Sequence, residues 1–417
     1  MRVRTQPGQL WWPIAAVFAT SILVTVLFWT ILPATVQINE SGDFSTFYEP
    51  VARNILAGRG FTLPDGTPAI RYPPGYPLLL AAIFWFSHFL RISEQTALSI
   101  FTLLGMGLAS VFIFVLGQRV WGVVRGSIST LLWITYPFAL WLTKQPNSEI
   151  PFIVVFYGGF CLFLHALLWR RRAPSIYFLS GLLVGGAMLI RPVAIGAGLV
   201  MGAILWLAGW QMTARVKLFS VATLLLGSIV AIFPWEAWVY SQTGRVVLLS
   251  TSGPSSMRDG LTFAIHRKGY RQGTSVPWDV ATLTQDTLSR LSEMNSIGGI
   301  TSIMAEEWRK NPLAVSKLFA IKAARSWYGT DSHRFETPII LIQLVYLGLA
   351  MWGGRIAWRQ GGAAKQLVIS VWLIVLYFWG MTVLALSILR YMVPTMGLLF
   401  LLIPAVFHKR ESREPNL

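Results

Sequence analysis

Runs of about twenty apolar residues recur along most of this chain, and that leaves few ways for it to fold. A hydrocarbon core about 30 Å thick is crossed by roughly 20 apolar residues in a helix, and inside it every backbone N–H and C=O must find a partner within the protein. The 54% hydrophobic content, with 25 Phe and 19 Trp among 417 residues and a mean hydropathy of +0.59, exceeds what one soluble core can hide. The chain reads as an all-α polytopic membrane protein.

The candidate spans are 11–34, 96–116, 127–143, 150–169, 176–190, 194–210, 217–236, 337–354, 367–386 and 391–408, with a further apolar run at 74–90. Basic residues fall on alternate connections: Arg2 and Arg4, Arg119 and Arg125, Arg170 to Arg172, Arg215 and Lys217, Arg355, Arg359 and Lys365, then Lys409, Arg410 and Arg413. The positive-inside rule puts these in the cytoplasm. Of the 17 acidic residues only Glu411 and Glu414 share that side. The net charge of +17 therefore reads as membrane orientation and affinity for anionic lipid, and nucleic acid is set aside as a partner.

Parity requires that one of the two runs 74–90 and 96–116 does not cross. The proline-rich start RYPPGYP marks 74–90 as a re-entrant or interfacial hairpin on the outer face. About ten crossings remain, built from about 10–12 membrane helices, with both termini inside and the first run kept as an anchor. Three regions follow: 1–240 with an outer loop at 35–95, an outer region at 241–336, and the membrane helices of 337–417. Within 241–336 the first half, rich in Ser, Gly and Thr, reads as loop. The second half carries apolar residues at helical spacing on both sides of Asn311-Pro312, which predicts two amphipathic helices at the membrane surface.

In the first outer loop, SGDFSTFYEPVARNILAGRG, Pro50 suits a first helical turn and Gly58 the residue after the last. Val51, Ile55 and Leu56 then fall near one face of an interfacial helix, with Arg53 and Asn54 on another. Asp43 stands upstream, at the mouth of the first span. It reads either as a solvated cap or as a general base, since a carboxylate with an ordinary pKa of about 4 can orient a hydroxyl and take its proton late in the transition state.

Ionisable groups at a membrane edge are costly and are usually kept for a purpose. Glu149, in NSEIPF, is either a carboxylate at a helix N-terminus or the second member of a two-carboxylate site with Asp43. Such a pair leaves a shared divalent cation open. Arg191 in LIRPVA and Arg390 in SILRYMVP are either snorkelling side chains or guanidinium forks for a lipid phosphate. Tyr72 and Tyr76 suit interfacial anchors, and Glu236 is the odd member of an aromatic belt with Trp235 and Trp238. His88, His266 and His333 lack metal-ligand spacing, and the single Cys161 forms no internal disulfide.

The order SGDFSTFYEPVARNILAGRGF, RYPPGYPLL, NSEIPF, GLLVGGAMLIRPVA, FPWEAWVYSQTGRVVLLST and LRYMVPTMGLL resembles the GT-C membrane glycosyltransferases of the glycosyltransferase-39 and aminoarabinose-transferase type, relatives of protein O-mannosyltransferases. The resemblance implies a GT-C bundle with interfacial helices in its first outer loop. It also implies a polyprenyl-phosphate sugar donor, a lipid, glycan or protein acceptor, and inverting transfer of a hexosyl or pentosyl group with Asp43 as base and Glu149 as second acidic residue. Arg71, Tyr72, Arg191, Glu236, Arg390 and Tyr391 become the substrate-binding candidates. The expected setting is a bacterial cytoplasmic membrane, with the site on its outer face. Two departures stand out: Phe44 follows Asp43 where the family often has a second acid, and Arg71-Tyr72 precedes the proline pair where the family has Lys. The rival reading, a transporter or flippase for a lipid-linked or anionic substrate, predicts inverted repeats and Gly/Pro-broken spans in matching halves, and the sequence shows neither pattern.

Overall fold

The computed structural model describes residues 11–33, 42–144, 146–170, 173–263, 276–330 and 335–407. Arg2, Arg4, Arg171, Arg172, His266, His333, Lys409, Arg410, Glu411, Arg413 and Glu414 lie outside them. Apart from one isolated bridge between Thr62 and Pro68, the regular structure among the described residues is helical. The helices are α1 (Trp11–Ile31), α2 (Glu49–Leu56), α3 (Gly75–Leu90), α4 (Glu94–Trp121), α5 (Val123–Ile134), α6 (Pro137–Leu142), α7 (Glu149–His165), α8 (Pro174–Ile190), α9 (Ala197–Ala208) and α10 (Ala214–Thr243). They continue with α11 (Gly253–Leu261), α12 (Trp278–Ser289), α13 (Ile297–Lys310), α14 (Pro312–Arg325), α15 (Glu336–Gln360), α16 (Gly362–Leu384) and α17 (Val393–Phe400). Six of these, α1, α4, α7 with its π-turn extension to Trp169, α10, α15 and α16, are long and apolar enough to cross a bilayer. The chain is a multi-pass membrane protein.

Small residues let the helices approach closely, as expected where lipid supplies no hydrophobic drive for association. A Cβ on Gly181 of α8 would lie 1.9 Å from the Leu224 carbonyl of α10, and one on Gly227 would lie 2.2 Å from the Phe178 carbonyl. Hydroxyls complete the seams. Ser228 donates to the Gly181 carbonyl (3.0 Å), Ser180 to the Gly159 carbonyl (2.8 Å), and Ser21 of α1 pairs with Ser110 of α4 (2.9 Å).

Two expected spans are broken. The run 127–143 divides into α5 and α6 because Pro137 disfavours a helical Tyr136, whose backbone is extended (φ −68°, ψ 113°). The run 391–408 divides into α17 and a 3-10 turn, Ile403–Phe407. Side chains of neighbouring helices satisfy the exposed carbonyls: Tyr157 donates to Pro394 (2.6 Å) and Trp121 to Leu401 (2.7 Å). These breaks are packed with the rings of Trp133, Tyr136, Tyr157, Tyr346 and Phe400.

The first half of 241–336 is not the loop its composition predicts. It contains α11, with Pro254 in its first turn, and α12, which starts after Pro277 with Asp279 in its first turn. Leu261, Val280, Leu283, Met294, Ile300, Ile303, Val315 and Leu318 from α11 to α14 form a second apolar core. The predicted boundary at Asn311-Pro312 is present, with Asn311 Oδ1 accepting from Ala314 N (3.0 Å). The first outer loop also differs in one residue: Asn54, expected on the polar face of α2, is buried and donates to the Thr62 and Leu63 carbonyls (2.8 and 3.0 Å), pinning the turn that follows.

The second core is tied to the membrane helices by two buried cations of α14. Lys322, fully buried, donates to the Ala385 carbonyl at the end of α16 (2.9 Å), and Arg325 pairs with Glu336 (3.0 Å). Burial holds the Lys322 ammonium at about 7, against 10.5 for an ordinary lysine. The unfolded chain therefore binds one more proton than the native one between pH 7 and 10.5, so this lysine makes the fold more stable as pH rises through that window, and adds no slope below pH 7. From pH 7 to pH 9 the gain is about 2–3 kcal/mol. Thermal unfolding of wild type and Lys322→Met across pH 6 to 9 checks this: the wild-type midpoint rises with pH relative to the variant, and parallel curves contradict the assignment.

Candidate active site

The site is built where α7 begins, α8 ends and the turn before α17 passes between them. Asn147 starts α7: its Oδ1 accepts from the backbone of Glu149 (3.0 Å) and Ile150 (3.3 Å), while its amide donates to the Leu142 carbonyl. This cap places Glu149 in the first helical turn, buried, with its side chain 1% exposed. Arg191 leaves α8 in extended geometry (φ −141°, ψ 119°) just before Pro192. Its Nη1 bonds Glu149 Oε1 at 2.7 Å and Ser148 Oγ at 3.0 Å. Arg390 lies in the short 3-10 turn Leu389–Tyr391, which is held by Leu389 N donating to Gly329 O (2.8 Å). Its Nη2 donates to Glu149 Oε2 at 2.9 Å and its Nε bonds Oε1.

Two guanidiniums thus converge on one carboxylate, and the trio carries one net positive charge. The Arg191 and Arg390 side chains remain 16% and 27% exposed, whereas Glu149 is sealed beneath them. A guanidinium has five N–H donors, more than one shared carboxylate can accept, and its planar fork matches phosphate oxygens. The Tyr391 ring lies 5.2 Å from the Arg191 guanidinium and orients it by a cation–π contact.

Asp43 is exposed and stands at the head of a five-residue π-turn, Phe44–Tyr48, that runs into α2. Such turns are rare and recur at functional sites. The Tyr72 hydroxyl donates to Asp43 Oδ1 at 2.9 Å. Tyr72 packs against Phe47 (5.0 Å) and Tyr48 (5.1 Å), and Tyr48 against Tyr76 (4.9 Å). Arg71 is exposed, with its guanidinium 5.2 Å from the Tyr72 ring.

Tyr48 joins the two halves. Its phenol pairs with Ser148, the residue bonded to Arg191, and feels the charges of Arg191, Asp43 and Glu149 together. Burial pushes the Tyr48 phenol well above its ordinary value, with Arg191 opposing and the two carboxylates adding to the shift. Tyr72 moves the same way, from burial first and the Asp43 charge second. Both phenols therefore stay protonated at neutral pH, and Tyr72 remains a donor to Asp43.

The structure thus brings together Asp43 with Tyr72 and Arg71, and Glu149 with Arg191, Arg390 and Tyr391. Glu236 is used differently: it accepts from Leu249 N (2.8 Å), where the backbone is left-handed (φ 61°), while Trp235 donates to the Leu249 carbonyl (2.9 Å). The same strand of chain reaches the first outer loop through Thr251 N and Ile70 O (3.1 Å), so Glu236 braces that loop from behind. Tyr48, Asn147 and Ser148 were not among the sequence candidates. Ser148 and Asn147 adjoin Glu149 in NSE, a cap pattern readable in hindsight, whereas Tyr48 depends on the π-turn.

No family model and no curated protein matches this sequence. Solved structures match it in fold. The apo oligosaccharyltransferase of Archaeoglobus fulgidus superposes with a TM-score of 0.57 at 11% identity, over 96% of this chain and 51% of that one. The archaeal enzyme AglB from the same organism, in complex with an inhibitory peptide and a dolichol-phosphate, gives 0.51 at 11% identity, over 96% and 50%. The A. fulgidus enzyme tethered to an acceptor peptide containing the NVT sequon gives 0.50 at 12% identity, over 95% and 49%. The chain shares the fold of these three structures, in keeping with the resemblance drawn from its ordered motifs, and it spans about half their length.

Removing one partner of a buried ion pair costs more than the pair is worth, because the remaining charges lose their compensation. Glu149→Gln should lower the unfolding free energy by about 3–5 kcal/mol, and Asn147→Ala by about 1 kcal/mol through the lost cap. Denaturant unfolding in detergent measures both. A Glu149→Gln protein as stable as wild type would show that this carboxylate does not hold the two arginines.

Proposed function

We propose that this protein is a GT-C glycosyltransferase that moves a sugar from a polyprenyl-phosphate donor to a hydroxyl-bearing acceptor at the outer membrane surface. The observation that carries the reading is the pair Arg191 and Arg390, clamped by one buried carboxylate at the end of the bundle away from its basic connections, with Tyr48 linking the pair to Asp43. The AglB structure with a dolichol-phosphate lends support through the shared fold, because it is a lipid-phosphate complex of that architecture.

In this mechanism the donor phosphate sits on the exposed faces of the two guanidiniums. The acceptor oxygen attacks the anomeric carbon as the carbon–oxygen bond to phosphate breaks. The bonding pair leaves on the phosphate oxygen, where the arginines stabilise the developing charge, and the acceptor proton passes to Asp43. One displacement inverts the anomeric configuration. Tyr72, donating to Oδ1, fixes the carboxylate and leaves Oδ2 to take the proton. Glu149 acts as a positioning residue for the arginines and not as a second base.

A divalent cation bridging Asp43 and Glu149 does not fit this donor set, since both Glu149 oxygens are already bonded by cations. Phosphate is a good leaving group, so two guanidiniums serve the departing charge. The transporter reading is disfavoured because the broken helices are filled by aromatic rings and the acidic side chains among the described residues gather at one end of the bundle.

The test is mass spectrometry of envelope glycans and polyprenyl-phosphate sugars in a deletion strain complemented with wild type or Asp43→Asn. Deletion should remove a sugar from an envelope glycan and let its lipid-linked donor accumulate, and wild type should restore transfer. Asp43→Asn should fall short by about 10²-fold or more in rate. Full restoration by Asp43→Asn at matched membrane abundance would overturn the assignment.

A further inference from the structure

A second cationic feature lies at the opposite end of the bundle and plays no part in the chemistry above. Between α9, α15 and α16 is an open cleft of about 600 Å³, lined by Leu207, Trp210, Arg355, Trp358, Lys365 and Trp372 among others. We propose that this cleft is a binding site for the headgroup of an anionic phospholipid of the surrounding bilayer.

Its position follows from the chain's own charge pattern. The turn from α9 to α10 is followed by Arg215 and Lys217, and the turn from α15 to α16 is flanked by Arg355, Arg359 and Lys365, so both face the cytoplasm by the positive-inside rule. Gln366 donates to the Ala208 carbonyl at 2.7 Å, stapling the start of α16 to the end of α9. The walls of the cleft are therefore fixed before any ligand arrives.

The lining combines what a lipid phosphate and its glycerol boundary need. Arg355 and Lys365 bring two positive charges, and among the described residues no Asp or Glu lines the cleft. Lys365 Nζ lies 4.5 Å from the Trp358 ring centre and 5.7 Å from that of Trp210. Two indole faces thus hold the ammonium at the interface depth that tryptophan prefers. Gly354 brings the Trp372 indole close to α15, since a Cβ there would lie 3.3 Å from its Nε1. Below the headgroup, Leu341, Leu344, Val345 and Met351 leave the outward face of α15 apolar and exposed for acyl chains. Basic pockets between membrane helices on the cytoplasmic side recognise anionic headgroups by this combination.

The inference is independent of the catalytic reading and is tested on the purified full chain. Native mass spectrometry with added phosphatidylglycerol, cardiolipin or phosphatidylcholine reads lipid retention directly. Wild type should hold an anionic lipid about 10-fold or more tighter than phosphatidylcholine, and Arg355→Gln with Lys365→Gln should remove that preference. Arg355→Lys with Lys365→Arg keeps the charge and should keep the preference, as should Arg359→Gln, which lies outside the lining. Equal retention of phosphatidylglycerol and phosphatidylcholine by wild type would overturn the proposal, as would an unchanged preference in the glutamine variant. Competition by inorganic phosphate or a polyprenyl monophosphate as effective as that by phosphatidylglycerol would overturn the assignment to bilayer phospholipid.

Discussion

One buried carboxylate organises the end of this molecule where chemistry is proposed. Glu149 receives Arg191 from the end of α8 and Arg390 from the turn before α17, so three separate membrane elements meet on two oxygen atoms. Buried ion pairs contribute little net stability because desolvation offsets attraction. Their value here is positional. Two long, flexible side chains are held with their forks fixed, and the ordering entropy is met during folding and not when a ligand binds. The Asn147 cap on Glu149 and the Gly329 carbonyl bonded to Leu389 extend this constraint outward to α7 and to the α14 junction.

The aromatic cluster Phe47, Tyr48, Tyr72 and Tyr76 gives the second constraint. It joins the exposed Asp43 to the buried ion cluster without moving the carboxylate into the membrane helices. The functional groups therefore lie in two environments. Arg191 and Arg390, proposed to hold a lipid phosphate, are partly buried at the bundle edge, and Asp43, proposed to take the acceptor proton, faces outward. The basic cleft at the other end suits the same logic of depth, with tryptophans at the interface and cations beside them.

Much of the architecture was legible because the bilayer imposes simple rules on sequence. Apolar length revealed the long helices, and alternation of Arg and Lys placed Asp43, Glu149, Arg191 and Arg390 at one end. Their pairing was not legible, since Glu149 and Arg390 are separated by 241 positions and no local period connects them. The breaks at Pro137 and at Leu401–Leu402 leave no mark in the hydropathy because the surrounding residues stay apolar. Helices α11 and α12 were hidden by Ser, Gly and Thr, whose weak propensity is overridden by tertiary packing onto α13 and α14. Asn54 was misplaced because an amide that satisfies two carbonyls can be buried at little cost. Tyr48 was missed because a π-turn shifts the helical face by a residue.

The central claim is that the arginines bind phosphate while Asp43 handles only the proton. Affinity of the purified protein for a short-chain polyprenyl monophosphate tests it most directly, comparing wild type, Arg191→Lys, Arg390→Lys and Asp43→Asn by calorimetry. The account predicts that either lysine variant, which loses the fork but keeps the charge, weakens binding by about 10-fold or more, while Asp43→Asn binds as wild type does. Undiminished binding in both lysine variants, or loss of binding in Asp43→Asn alone, would contradict it.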